Sequence, residues 1–395
     1  MRNVLFCAIF AGLWGGAFAG PVRAEVDVTI AFVRVAEKEP LPLSRLEEPA
    51  EDDAVAGAEL GLADNATTGR FMGQTYALET LTPAPGDAVA EVRAAHDGGL
   101  SLFVVQASED TLKQIADAVP DALVFNVKAT DDDLRLTGCK PNVFNVVPSR
   151  AMKADALAQY LVWKKWDRWM LIRGSHPEDI AMADAYRRAA GKFGIKIVEE
   201  RVYEDTGGSR RSDSGHVLVQ RQMPIVTQNA KRHDVVVVAD ENEVFAAYVP
   251  YRTWDATPVA GDAGLRVRDW HPANEAWGAT QLQTRFEKQS NRYMSDRDYL
   301  AWLAVRIIGE AVTRTNSNNP GVLRTYLRSD AFEIPGFKGQ ALSFRPWNQQ
   351  LRQGILLADG PMIVTVSPQE EFLHQRTRLD TLGYDEPETE CSLDD

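Results

Sequence analysis

Short runs of β-branched and aliphatic residues, alternating with amphipathic helical patterns, constrain this chain more than any other feature. The first run is Asp27–Val35 (DVTIAFVRV), nearly continuous in apolarity, as a parallel strand covered on both faces requires. Similar runs recur at Leu102–Val105, Leu123–Val127, Trp169–Ile172, Ile195–Val198, Val235–Ala239 and Ile363–Val366. Helical patterns lie between them at Val55–Asn65, Gly86–His96, Glu109–Val119, Ala151–Lys165, Glu178–Phe193 and Asn242–Tyr248. This alternation predicts βαβ units wound about parallel sheets, an α/β class. The series breaks into two rounds at Asp131–Pro148, where DDDLRLTGCKPN is charged and turn-forming. Two consecutive helices follow at Trp277–Gln289 and Asp298–Thr313. In the second, Leu300, Leu303, Ala304, Ile307, Ile308 and Ala311 form one apolar stripe, and Ser295 with Asp298 forms a capping box. Asn318-Asn319-Pro320-Gly321 stops that helix.

A length of 395 residues suits two or three compact units. The 43 Lys and Arg against 56 Asp and Glu give a net charge of −13, a field that repels phosphate backbones and excludes nucleic acid as the expected partner. Arg2, the small apolar run Val4–Ala19, and the sites Ala17-Phe18-Ala19 and Val22-Arg23-Ala24 read as a secretory signal peptide over residues 1–24, cleaved after Ala19 or Ala24. Cys7 lies inside that run. The mature chain is expected in the periplasm, with no direct insertion into the membrane. Its two remaining cysteines, Cys139 and Cys391, are expected to pair in an oxidising compartment. That bridge would clip the acidic tail to the body, with loop-closure entropy crediting it with ~5 kcal/mol.

Catalytic signatures are missing from the sequence: no Gly-x-Ser-x-Gly, no His-Glu-x-x-His, no Gly-x-Gly-x-x-Gly after the first strand and no phosphate loop. His176 with Glu178, His271 with Glu275, and Asp131-Asp132-Asp133 lack the spacing of a zinc or calcium site, and solvated turns explain them better. No metal or cofactor is expected. Arg210 and Arg211 in DTGGSRRSDSGH read equally as an anion loop or a mobile connection. Trp254 and Trp270 stand in turn-rich segments, where a ring could line a ligand cleft or simply be buried.

Three longer strings carry a family likeness. They are VAGAELGLADNATTGRFMGQTYALE at Val55–Glu79, LVWKKWDRWMLIRGSHPEDIAMADAYRRAAGKFGIKIVEE at Leu161–Glu200, and WGATQLQTRFEKQSNRYMSDRDYLAWLAVRIIGEAV at Trp277–Val312 with FKGQALSFRPWNQQLRQGILL after it. In this order they resemble type I periplasmic substrate-binding proteins of the leucine/isoleucine/valine-binding class, which serve ABC importers. EKEPLPLSRLEEP, EDTGGSRRSDSGH, YVPYRTWDATPVAG and SPQEEFLHQRTRLDTLGYDEPE are similar to the subgroup found alongside pyrroloquinoline-quinone-dependent alcohol dehydrogenase systems.

The resemblance implies two Rossmann-like lobes with parallel sheets, joined by three hinge crossings, with ligand in the cleft between them. Lobe 1 would comprise residues 25–148 and 251–345, lobe 2 residues 149–250 and 346–384, and residues 385–395 an acidic tail. It places ligand-binding positions at Ala107 and Ser108 after the third strand and at Ala129 and Thr130 after the fourth. Across the cleft it places Glu178 where the family commonly has a tyrosine, then Asp240, and Asp262 near the family's amine-binding position. With these acids the cleft is expected to be acidic, favouring an amine, a cation or a polyol. The implied function is capture of a small polar molecule for the membrane permease of an ABC importer, without catalysis. A secreted α/β enzyme using His176, Glu178 or His271 on a small alcohol- or aldehyde-derived substrate, or a periplasmic sensor or scaffold, are the alternatives.

Overall fold

The structure is a computed structural model and describes residues 26–39, 42, 48–207 and 216–393. The signal segment, Cys7, Arg210 and Arg211 lie outside the described residues. The first round of the chain gives β1 (Val26–Arg34), α1 (Val55–Met72), β2 (Gln74–Leu81), α2 (Ala88–Asp97), β3 (Leu102–Gln106), α3 (Glu109–Ala118), β4 (Leu123–Asn126) and β5 (Val143–Asn145). The strands form a wholly parallel sheet in the order β2-β1-β3-β4-β5. β3 and β4 are buried at every residue, which explains why they read as unbroken apolar runs.

The second round gives α4 (Arg150–Trp163), β6 (Arg168–Arg173), α5 (Pro177–Phe193), β7 (Lys196–Val202), α6 (His216–Thr227), β8 (Val235–Ala239), β9 (Val259–Gly261) and β10 (Leu265–Arg268). Three helices follow, α7 (Ala279–Ser290), α8 (Asp296–Thr315) and α9 (Pro320–Leu327), then β11 (Ile334–Pro335), β12 (Ala341–Phe344), β13 (Leu351–Arg352), β14 (Ile355–Asp359) and β15 (Met362–Ser367). The second sheet runs β15-β14-β10-β9-β8-β6-β7, with β14 and β15 antiparallel at one edge. Each sheet is covered on both faces. The C-terminal helices α7, α8 and α9 join α1 on one face of the first sheet, and α2 and α3 cover the other. α4 and α5 cover one face of the second sheet, and α6 with the turn at Ala246–Tyr251 covers the other.

Sheet membership corrects the lobe boundaries. β9 and β10 hydrogen-bond into the second sheet, so residues 251–268 leave the first lobe and the second crossing follows Arg268 rather than residue 250. The third crossing is Gln353-Gly354, between β13 and β14, rather than residue 345. The first runs through residues 146–149. Asn242–Tyr248 is not an α-helix. The Asp240 carboxylate accepts the N–H groups of Val244, Phe245 and Ala246 and bends the chain into a tight turn instead. Asn319-Pro320-Gly321, expected only to end α8, also starts α9, with the Asn319 side chain capping it and Pro320 at its first position.

A disulfide joins Cys139 and Cys391, whose Cα atoms are 5.6 Å apart. α1 and α8 pack backbone to backbone because Gly57 and Gly61 have no Cβ. A Cβ on Gly57 would collide with the Asp298 carbonyl, and one on Gly61 would lie 2.8 Å from that of Trp302. The Asp298 side chain both caps α8 with Ser295 and accepts the Ala54 N–H at 2.9 Å, fixing the start of α1 against α8. Gly57→Ala is therefore expected to destabilise the protein by about 1–3 kcal/mol through forced separation of the helices. Gly191→Ala, in α5 with open space around it, is expected to stabilise by about 0.5–1 kcal/mol. Urea unfolding midpoints shifting in these opposite directions check both.

Candidate functional site

The strand carboxyl ends of both sheets converge on a cleft of about 400 Å³. Its first-lobe wall comes from the loop after β4, with Val127, Lys128 and Thr130, and from the start of α8, with Asp296, Arg297 and Leu300. The second-lobe wall comes from α5, with Met182 and Tyr186, and from the ends of β8, β9 and β10, with Asp240, Glu241, Asp262, Arg268 and Asp269. Lys153 of α4 lies at its floor. Among the larger depressions, those of about 650, 760 and 710 Å³ each draw their lining essentially from one lobe. The cleft of about 400 Å³ is walled by both lobes, as is an adjoining depression of about 520 Å³ that shares Glu243, Arg266, Arg268, Asp296 and Arg297 with it, and the ends of the strands are where open α/β sheets place ligands.

Of the positions expected from the sequence, Thr130, Asp240 and Asp262 line this cleft. Ala107 is buried behind it. Ser108 is turned to other work: its backbone N–H donates to Glu37 Oε1 at 2.8 Å and its hydroxyl to Thr111. The Ala129 N–H donates to Asn126 Oδ1 and its carbonyl accepts from Asn126 and Arg135, so neither backbone group is left for a guest. Glu178 stands behind the second-lobe wall, where its Oε2 accepts from Asn242 Nδ2 at 3.0 Å. Trp254 is 60% exposed and its backbone is tied to Thr227 at the end of α6, away from the cleft. Trp270 is core, stacked on Tyr299 with centroids 4.9 Å apart.

The expectation of a simply acidic cleft is corrected. Lys128, Lys153, Arg266, Arg268 and Arg297 share its lining with the acids, and sequence reasoning missed all five. Lys153 pairs with Asp269 at 3.3 Å, and Arg268 with Asp296 at 3.0 Å. Lys128 pairs with Glu37 at 2.7 Å, and Arg297 with Glu39 at 2.8 Å. Arg150, at the first turn of α4, joins Asp131 of the first lobe at 2.5 Å to Glu241 of the second at 2.8 Å. One signal could have flagged it, since an arginine at a helix start opposes the macrodipole unless carboxylates neutralise it.

His176 and His271 do not come together at the cleft. His176 Nε2 meets Asp205 Oδ2 at 2.9 Å, and His271 uses one ring nitrogen on the Gly360 carbonyl and the other on the Ala273 N–H. Burial holds the His271 pKa below its ordinary value. Among the described residues no helix is long and apolar enough to cross a membrane.

Burial pushes the Asp240 carboxyl up to about 6, and burial with the nearby Glu241 and Asp240 charges pushes Asp262 up to about 7. A carboxyl raised in this way binds a proton in the folded chain where the unfolded chain has already lost it. Its contribution to stability therefore falls as pH rises from about 4 to about 7. Asp262→Asn is expected to gain stability relative to the parent across that window, and urea midpoints of the two proteins at successive pH values check it.

Residues 43–218 match a family profile described as periplasmic binding protein. No curated protein matches the sequence. Among solved structures, a periplasmic binding protein from Burkholderia mallei is 14% identical, with a TM-score of 0.67 over 93% of this chain and 99% of that one. A leucine-, isoleucine-, valine-, threonine- and alanine-binding protein from Brucella ovis is 16% identical, with a TM-score of 0.67 over 85% of this chain and 90% of that one. An ABC transporter solute-binding protein from R. palustris, in complex with benzoate, is 10% identical, with a TM-score of 0.60 over 86% and 95%. The chain has the fold of the type I periplasmic binding proteins, and residues 43–218 match their family in sequence as well.

Proposed function

We propose that the protein is an exported receptor that captures a small polar molecule between its lobes and delivers it to the membrane permease of an ABC importer. The observation that carries this reading is the cleft itself, walled by residues of both lobes, which three short crossings and the disulfide-anchored tail join. A guest bridging the walls favours closure, and it does so in proportion to its extra contacts in the closed arrangement. The solved relatives bind different guests, amino acids in the Brucella ovis protein and benzoate in that of R. palustris, so the fold leaves the cargo to the loops. The strings similar to the quinone-dependent subgroup support a cargo linked to alcohol oxidation. The family supports action in the periplasm.

Native mass spectrometry of protein purified from its own periplasm is expected to reveal a retained small molecule, and turnover assays against alcohols, aldehydes and esters are expected to show none. Thr130 lines the cleft and its hydroxyl makes no hydrogen bond among the described residues. Thr130→Val is therefore expected to weaken the retained molecule's affinity about fivefold, the worth of one neutral hydrogen bond. Ser108→Ala should leave it unchanged, because that hydroxyl is engaged by Thr111. Calorimetry on both variants decides.

A further inference from the structure

The pairing of charges along the cleft limits what kind of group each wall can receive, and this step rests on reading the cleft as the cargo site. Four of the basic side chains, Lys128, Lys153, Arg268 and Arg297, are already paired with acids of the same chain, and Arg266 donates its Nε to the Asp262 carbonyl at 2.8 Å. On the first-lobe wall Lys128 Nζ contacts Glu37 at 2.7 Å and Glu39 at 3.1 Å, Arg297 contacts Glu39 at 2.8 Å, and the Ser108 N–H at the start of α3 donates to Glu37 at 2.8 Å. An amide at a helix start beside an ammonium is the natural seat for a carboxylate or phosphate, and residues 37 and 39 fill it from within.

The acceptors are not matched in the same way. Asp269 lines the cleft and is 4% exposed. Its Oδ2 faces Lys153, but its Oδ1 receives no hydrogen bond. Among the described residues, it is the buried polar side-chain atom without a partner that belongs to a residue lining the cleft. A buried carboxylate oxygen without a donor is a standing penalty that a guest's N–H group relieves. Asp240 and Asp262 share the same wall, and burial and mutual repulsion hold the Asp262 carboxyl high, so positive charge placed there is favourable.

We propose that the cargo is a small ammonium compound without an acidic group, an alkylamine or amino alcohol, that donates to Asp269 Oδ1, while Glu37 and Glu39 serve as built-in anions that keep carboxylates out. Calorimetry on the mature protein with ethanolamine, 1,4-diaminobutane, glycine, leucine and ethylene glycol tests this. Ethanolamine or diaminobutane is expected to bind at least tenfold more tightly than glycine, leucine or the glycol. Asp269→Asn is expected to weaken that binding at least tenfold with an unchanged circular dichroism spectrum, and Glu37→Ala to raise glycine affinity several-fold. Should Asp269→Asn fail to fold, the ranking on the parent protein decides. Glycine or leucine binding as tightly as the amines overturns the proposal and leaves the receptor reading standing. Binding by none of the probes, with no molecule retained in native mass spectrometry, overturns both.

Discussion

One buried guanidinium holds the hinge together. Arg135 is 1% exposed, and its Nε donates to Gln350 Oε1 at 2.7 Å while its terminal nitrogens donate to the carbonyls of Ala129, Asp131 and Val147. Those carbonyls belong to the loop after β4 and to the first crossing, and Gln350 belongs to the approach to the third. Gln350 continues the network by donating to the Asn145 and Val147 carbonyls. Burial pulls the Arg135 pKa down to about 10, which leaves it charged at neutral pH. A cation held by neutral carbonyls and an amide, with Asp132 and Asp131 nearby, tolerates burial because its donors are used. The tail closes over the same place: Thr389 donates to the Arg135 carbonyl at 2.8 Å, and Cys391 is bonded to Cys139. The first and third crossings are thus pinned at one point, which makes rotation about that point the natural way to open the cleft.

Above this knot, Arg150 spans the lobes directly. Asp131 comes from the first sheet's loops and Glu241 from the second's, and both meet one guanidinium, whose pKa burial pulls down and the two carboxylates more than restore, leaving it above its ordinary value. Separating the lobes would leave one carboxylate without its partner, although in an opening cleft water replaces it, so the penalty is smaller than for a pair sealed in a core. The bridge biases the arrangement without locking it, as a receptor that must both take and release its cargo needs.

Legibility in the sequence followed segment length and backbone chemistry. β1, β3, β4, β6 and β8 were readable because strands covered on both faces must be apolar throughout. β9, β10 and β13 have too few residues to show any period, and missing them misplaced two lobe boundaries. The Ser295–Asp298 capping box was readable because it is a local hydrogen-bond pattern. The Asp240 turn was not, because a run such as Asn242–Tyr248 looks helical until a carboxylate captures three of its N–H groups. At the site, the residue types after β4 and β8 were foreseeable, but whether a backbone amide is free was not. That depends on partners as distant as Glu37 for Ser108, which only the folded chain brings together.

The division between scaffold and loops also explains what identities of 10–18% to the solved relatives can and cannot carry. Strand and helix positions need only the right apolar period, which many sequences satisfy, so the fold persists when few residues match. Beside residues of α4, α5, α8 and β10, the cleft takes Val127, Lys128, Thr130, Asp240, Glu241, Asp262 and Asp269 from just past strand ends, where no packing period restricts the choice of side chain. Here the connection after β1 uses that freedom to send two glutamates onto the first-lobe wall, where Lys128 and Arg297 receive them. The electrostatic character of such a site is therefore set by which charges the chain answers itself, and the groups it leaves unanswered define the guest.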